Sequence, residues 1–330
     1  MVRPRRVRGP LAGRRPRARV RRIRPAARAA GRGRDVRERD PRRTPRHPPA
    51  RPDPLSARHH QGVDYLLSNR QIEAGERFEA IAELFDAWTF RHFDGIGLTT
   101  GWRCWEVGAG GPTVPAWLAR RVGPEGRVLA TDIDVSWLPA DAPFEVARHD
   151  IVRDGPPAGP GHGDGLFDVV HARLVLVHLA DRDRALRTMV NGLRPGGVLL
   201  VEDADPALQP LACPDEHGPD ERLANHVRRG FRALLAERGA DLSYGRRLPR
   251  LLREAGLTGV RADAFSPIVS PACGILEAAT IRQVRGKLVA GGHATDDEID
   301  RLLAAIAAGR LDLTLAPLIS AWGVKPPEKP

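Results

Sequence analysis

Between residues 104 and 121 a short apolar run, a turn carrying three glycines and a helical pattern follow one another without interruption, and this unit constrains the fold more than any other feature. Cys104–Gly108 reads as a buried strand, Gly108-Ala109-Gly110-Gly111-Pro112 as the turn, and Val114–Arg121 as a helix ending before Gly123-Pro124-Glu125-Gly126. Further short apolar runs follow at Arg127–Thr131, Phe144–Ala147, Phe167–Ala172 and Val198–Glu202, with a helix at Arg182–Leu193 before the last of them. Alternation of this kind predicts an α/β fold whose parallel sheet is covered by helices on both faces. Val260–Val269 and Pro317–Trp322 add a sixth and a seventh strand. Helical patterns also occupy Tyr65–Phe93 (Phe78, Ile81, Ala82, Leu84, Phe85 and Trp88 at helical spacing), Arg222–Glu237, Leu248–Glu254, Ile275–Val289 and Asp296–Ala308. The first predicts a lid or flank over residues 61–100. The main domain then runs from 101 to 330, with cap insertions near 204–250 and 274–309.

Composition matters at the amino-terminal end. Residues 1–60 contain 21 of the 49 arginines, no lysine, four acids and ten prolines, and no Phe, Trp or Tyr. They contribute +17 against the chain's +11, so residues 61–330 carry −6. A segment so poor in apolar side chains cannot offset the entropy of ordering it, and it is expected to be disordered. An Arg-rich arm can bind nucleic acid weakly and non-specifically through phosphates. Because Arg, Pro, Ala and Gly share GC-rich codons and patterned sequence begins at Asp64–Tyr65, the segment reads equally as upstream sequence outside the native product, with Val63 as the start. The acidic remainder argues against a nucleic-acid groove. No run reaches the ~20 apolar residues of a membrane helix and no secretory signal is legible, so a cytoplasmic protein is expected. Cys104, Cys213 and Cys273 are widely spaced, which disfavours a disulfide framework and a zinc site.

The first strand-to-helix turn of an open parallel sheet receives the ligand. A dinucleotide fingerprint starting at Gly108 calls for glycine at 113, where Thr113 stands, and does not call for Glu106. Glycines let backbone approach a ligand that a Cβ would exclude, and Asp132, at the end of the second strand, can accept hydrogen bonds from both hydroxyls of a ribose. An adenosine-containing cofactor fits this arrangement.

The ordered set Glu106…Gly110, Ala130-Thr131-Asp132, His149-Asp150-Ile151, Phe167-Asp168-Val169-Val170 and Leu193-Arg194-Pro195-Gly196-Gly197 resembles the class I S-adenosylmethionine-dependent methyltransferases, in particular bacterial small-molecule enzymes of secondary metabolism. The resemblance covers roughly residues 100–205. It implies a Rossmann-like, doubly wound, seven-stranded and mostly parallel sheet whose final strand is antiparallel, with helical lid insertions. It implies S-adenosylmethionine as cofactor, held by Glu106, Gly108, Ala109, Gly110, Asp132, Ile133, Asp150, Ile151 and Arg173, with the glycines facing the methionine part, Asp132 the ribose, and Asp150 with Ile151 the adenine. Pro112 departs from the family's third glycine, which points to altered loop geometry.

The sulfonium already activates the methyl group, so no metal is required and the protein mainly aligns the acceptor and takes its proton where needed. His171 and His178 bracket the end of the fourth strand and are the candidate bases; a hydrogen-bonded structural histidine is the competing reading of each. Arg173 reads either as a carboxylate ligand or as an ion pair that staples the sheet. His217 and His226 are lesser candidates. The Asn/Asp-Pro-Pro-Tyr/Phe motif of amide- and adenine-methylating relatives is replaced by His171-Ala172-Arg173-Leu174, which favours a small organic acceptor, with oxygen ahead of nitrogen or carbon. An NAD(P)-dependent oxidoreductase and an RNA-modifying enzyme using the basic arm are the alternatives. Monomer and homodimer both remain open.

Overall fold

A computed structural model describes residues 66–67, 73–157 and 166–327; the Arg-rich segment 1–60, with its expected disorder, lies outside the described residues. The strands are β1 (Arg103–Val107), β2 (Arg127–Asp132), β3 (Glu145–Arg148), β4 (Phe167–Arg173), β5 (Leu193–Ala204), β6 (Thr258–Phe265) and β7 (Leu318–Val324). They form one seven-stranded sheet in the order β3-β2-β1-β4-β5-β7-β6. Pairing from β3 through β5 is parallel, and β7 runs antiparallel between β5 and β6. This is the seven-stranded α/β arrangement with an antiparallel last strand that the sequence implied.

Strand ends differ from expectation for local reasons. β6 stops at Phe265, and beyond it Val269 adopts φ 54°, a left-handed backbone in which a β-branched residue cannot continue a strand. β7 begins one residue after Pro317, which has no N–H to give the ladder and uses its carbonyl to accept from Asp205 N at 2.9 Å. The leading region forms one helix, α1 (Glu73–Ile96), of 24 residues. It is followed by α2 (Thr113–Val122), α3 (Arg182–Gly192), α4 (Pro219–Glu237), α5 (Leu248–Glu254), α6 (Pro271–Ala290) and α7 (Asp296–Ala307). The start of α7 is fixed by a capping box between Thr295 and Glu298.

Side chains alternate across the sheet as the two-residue period requires. Trp105, Val107, Val170, Ala172, Leu199 and Val201 face a cluster completed by Leu186 and Met189 of α3 and Leu248 and Leu252 of α5. Cys104, Val169, Val198 and Leu200 face the opposite way, against Phe93 of α1 and Val114, Leu118 and Val122 of α2. A third cluster joins Leu84 and Phe85 of α1 to α4, α6 and α7 through Leu223, Val227, Ile281, Leu288, Ile299 and Leu302. Helix α1 therefore belongs both to the sheet and to a second, helical layer. The three cysteines are buried and unpaired. Among the described residues no helix is long and apolar enough to cross a membrane.

The face under α1 also carries a buried polar row. Glu106 lies opposite His171 in the β1–β4 register, and the His171 ring makes contacts on both sides, Nδ1 to Glu106 at 2.6 Å and Nε2 to Glu202 at 3.3 Å. Ser320 of β7 donates to Glu202 at 2.7 Å, Thr89 of α1 donates to the same carboxylate, and His92 lies 3.2 Å from it and 2.9 Å from Asp263 of β6. Burial alone would raise the Glu202 pKa, yet His171, His92 and Arg173 together hold it well below the ordinary carboxylate range. Burial alone would likewise lower His171, but the flanking carboxylates outweigh it and raise its pKa from 6.5 to about 9.

The sign of the linkage follows from that raised value. The imidazolium contributes stability that is complete below pH 6.5 and is lost as pH rises through about 9; the loss amounts to roughly 3 kcal/mol. Urea midpoints should fall across this window. His171→Leu, which strands two buried carboxylates, should lower stability by about 3–5 kcal/mol and flatten that dependence. A native midpoint that does not move over the window would show that the ion pair contributes nothing.

Candidate active site

The turn after β1 is held open by backbone conformation and by close packing. Gly108 and Gly110 adopt φ 64° and 59°, a region that L side chains rarely enter. A Cβ on Gly110 would lie 2.7 Å from Cε1 of Phe78, and one on Gly108 would collide with Val175. The amide of Ala109 donates to the carbonyl of Thr131 at 3.0 Å, tying the turn to β2. Asp132, nearly buried at the end of β2, accepts from Gly110 N at 2.9 Å and from Asp134 N at 3.0 Å. Burial pushes its pKa up, against the pull of these amides. Asp132 thus has a task beyond the ribose contact expected of it: its carboxylate fixes the glycine turn.

These groups line one cavity of about 830 Å³ that includes Glu106 through Thr113, Asp132, Ile133, Asp150, Ile151, Arg173 and His178. Ile133 is 54% exposed, an apolar side chain at the cavity wall. Asp150 accepts from Val152 N at 3.0 Å and from Arg153 N at 3.3 Å, so its carboxylate caps a local turn while lining the cavity. Phe78 roofs the glycines and meets Trp137 edge to face, with centroids 6.1 Å apart. Pro112 serves as the N-cap of α2.

At the far end of β4 the chain takes a strained path. Leu174 has φ 58°, and a 3-10 turn at Leu176–His178 follows. Strain of this kind persists only where surrounding contacts impose it. Here the Leu174 amide donates to Glu202 O at 2.8 Å and the Val177 amide to Asp203 Oδ2 at 3.1 Å. Burial pushes Asp203 up to about 7 although the amides of Val177, Leu176 and Ala204 pull the other way. The turn presents His178 to the cavity. Burial, then Arg77 and Arg182, push that imidazole down to about 4.

Two expectations change. His171 does not reach the cavity: it is fully buried between Glu106 and Glu202, so it positions these carboxylates and has no route to an acceptor proton. The Arg173 guanidinium is engaged by α1, with Asp86 at 2.8 Å and Thr89 at 3.0 Å, so it staples the leading helix to β4 although its side chain lines the cavity. His217 and His226 are not on the cavity wall; they lie near Glu221 and Glu298. Sequence reasoning missed Phe78, Trp137 and Val175 as the covers of the glycine turn. Phe78 was visible only as a position in a helical stripe, and no local signal marks which turn it faces. Beyond the glycines the cavity continues between α1, α4 and α6, where Phe85, Phe231, Leu235, Leu242 and Leu276 make its walls apolar.

Gly108→Ala should therefore reduce affinity for S-adenosylhomocysteine at least tenfold, because the φ penalty alone is about 1–2 kcal/mol and the Val175 collision adds to it. Adding Val175→Ala should recover only the collision part. Unchanged affinity in titration calorimetry would mean that the turn is not a ligand cradle.

A family model described as "Methyltransferase domain" matches residues 105–199. Over 178 residues the chain is 34% identical to the ubiquinone/menaquinone biosynthesis C-methyltransferase UbiE of Vibrio parahaemolyticus, an alignment covering 46% of this chain and 66% of that one. It is 28% identical over 189 residues to methyltransferase GfsG of Streptomyces halstedii, covering 54% and 61%. The chain therefore spans less than two thirds of the length of these curated relatives. Among solved structures, phosphoethanolamine N-methyltransferase 2 of Haemonchus contortus aligns with a TM-score of 0.47 at 15% identity over 82% of this chain and 61% of that one. The matched stretch runs from β1 into the first half of β5 and holds the glycine turn and Asp132, so this part of the chain is a methyltransferase domain.

Proposed function

We propose that this protein moves the methyl group of S-adenosylmethionine to an oxygen atom of a small, largely apolar organic acceptor in the cytoplasm. The observation that carries this reading is the single cavity that runs from the glycine turn and Asp132 into apolar walls under α1, α4 and α6. The turn fits the cofactor, since Gly108 and Gly110 take a left-handed backbone that leaves the main chain of the turn lining the cavity. In this reading Gly108, Ala109 and Gly110 hold the methionine part, Asp132 the ribose with Glu106 supporting the turn, Ile133 the face of the adenine, and Asp150 with Ile151 its edge. The cofactor supplies a methyl group already activated by its sulfonium. The protein's part is to align the acceptor, exclude water with α1 and the 204–250 and 274–309 segments, and receive the acceptor's proton at His178.

His178 is placed for that last task by the turn that brings it to the cavity wall, and it is neutral at physiological pH, although burial, Arg77 and Arg182 make it a weak base that must pass the proton on. Such a base titrates far below neutrality, so kcat/KM should stay level on the acid side until the pH approaches about 4, and His178→Asn should lower kcat by roughly 10²–10⁴-fold with little change in cofactor affinity. A fully active His178→Asn would leave proton removal to water.

The likeness to UbiE, a C-methyltransferase by name, favours a second reading in which an electron-rich carbon is the acceptor atom. Mass spectrometry of the product separates an ether or ester from a carbon-bound methyl group. For the activity as a whole, titration of S-adenosylhomocysteine should give micromolar binding to the full chain. Asp132→Ala, which removes both the expected ribose acceptor and the hold on Gly110, should lose at least tenfold of that affinity. A folded native chain that binds no S-adenosylhomocysteine would sink the proposal.

A further inference from the structure

We infer that Arg232 is the specificity-determining residue for a carboxylate carried by the methyl acceptor. The inference rests on the reading of the cavity as a methyl-transfer site and names the acceptor's chemical class.

Helix α4 turns Arg228, Phe231, Arg232 and Leu235 toward the cavity, spaced three and four residues apart so that they share one face. Among these cationic groups the partners differ. Arg228 is buried and makes a two-pronged pair with Glu277, Nε at 3.1 Å and Nη2 at 2.5 Å. The other arginines at the cavity are likewise engaged: Arg77 donates to Gln283 at 3.2 Å, Arg153 lies 3.4 Å from Asp150, Arg173 donates to Asp86 and Thr89, and Arg238 to the carbonyl of Leu234 at 3.3 Å. Arg232 donates to no carboxylate or carbonyl among the described residues, and its Nε is buried without an acceptor. Glu277, the acid that faces α4 here, is already held by Arg228.

Such an arrangement is costly. A donor removed from water without an acceptor is destabilising, and a like charge stands one helical turn away. Burial, and after it Arg228, lower the Arg232 pKa from the ordinary 12.5, yet a guanidinium remains charged throughout the physiological range. Among the described residues no side chain pairs with it, and the neighbouring Phe231, Leu235, Leu242 and Leu276 of the cavity wall match a hydrocarbon or aryl body. A ligand carboxylate would supply the missing acceptors in the geometry a guanidinium fork prefers. The same wall gives an uncharged acceptor no compensation for covering Arg232, so the residue selects acids and rejects their neutral analogues.

The test uses the full chain loaded with S-adenosylhomocysteine and titrated with octanoate, decanoate and phenylacetate, each against its neutral amide. At least one acid should bind about ten- to a hundredfold more tightly than its amide. Arg232→Met should abolish that preference while leaving S-adenosylhomocysteine affinity and the circular dichroism spectrum unchanged, and Arg232→Lys should restore part of it. Equal binding of acids and amides, no binding of any acid, or a preference that survives Arg232→Met would overturn the inference. So would a loss of S-adenosylhomocysteine affinity in Arg232→Met, which would assign the residue to the cofactor's own carboxylate. If the native chain binds no S-adenosylhomocysteine, the methyl-transfer reading fails separately, and the acid–amide comparison on the unliganded chain still decides the role of Arg232.

Discussion

The position of everything around the cavity depends on one buried interaction, the His171 imidazole held between Glu106 and Glu202. Two carboxylates this deep are tolerable only with a compensating charge and full hydrogen bonding. Those requirements draw in Ser320 from β7, His92 and Thr89 from α1, and Arg173 from the end of β4. The row crosses β1, β4, β5 and β7, stepping two residues along between His171 and Glu202, and it fixes α1 over the carboxyl half of the sheet. Phe93 packs on the His171 ring with centroids 5.1 Å apart, and the Asp86–Arg173 pair holds the next stretch of the helix. The amino-terminal turns of α1 are thereby carried over the glycine turn, where Phe78 roofs Gly110.

The cavity follows from this placement. Its floor is the end of the sheet, where Glu106 anchors the strand that opens into Gly108 and where Asp132 ties Gly110 to β2. The cover comes from helices that form their own apolar cluster and meet the sheet mainly through α1. The second wall rests on Asp203, whose carboxylate accepts from the strained segment that bears His178. A group pushed up to about 7 by burial is an unfavourable one to keep there, and the backbone amides it accepts from are the compensating contacts. Arg232 repeats the pattern on α4: a polar group retained at a cost in a site whose remaining walls are apolar.

Much of the fold was legible because its determinants are local. The left-handed backbone at Gly108 and Gly110, the two-residue alternation of Cys104 to Val107 and of Val169 to Ala172, and the capping box at Thr295 each reside within a few consecutive residues. The site was legible in part. The glycines and Asp132 stand at strand ends, where the period of the strand dictates their location. His171 was misjudged because alternation tells that Glu106 and His171 each face away from their apolar neighbours, but not which face α1 covers. Which of its two readings Arg173 would follow was not legible for the same reason, since Asp86, which engages it, is 87 residues away.

The sequence by itself determined the order of strands and helices, the place of the glycine turn and the acids at the ends of β1 and β2, because backbone sign, period and capping act over a few residues. Tertiary structure alone decided which polar groups meet. Glu106, His171 and Glu202 are separated by 65 and 31 residues and become neighbours only through the strand order β1-β4-β5. Whether each group is charged, and whether it faces solvent, a partner or the cavity, follows from the desolvation and ion pairing that this packing imposes.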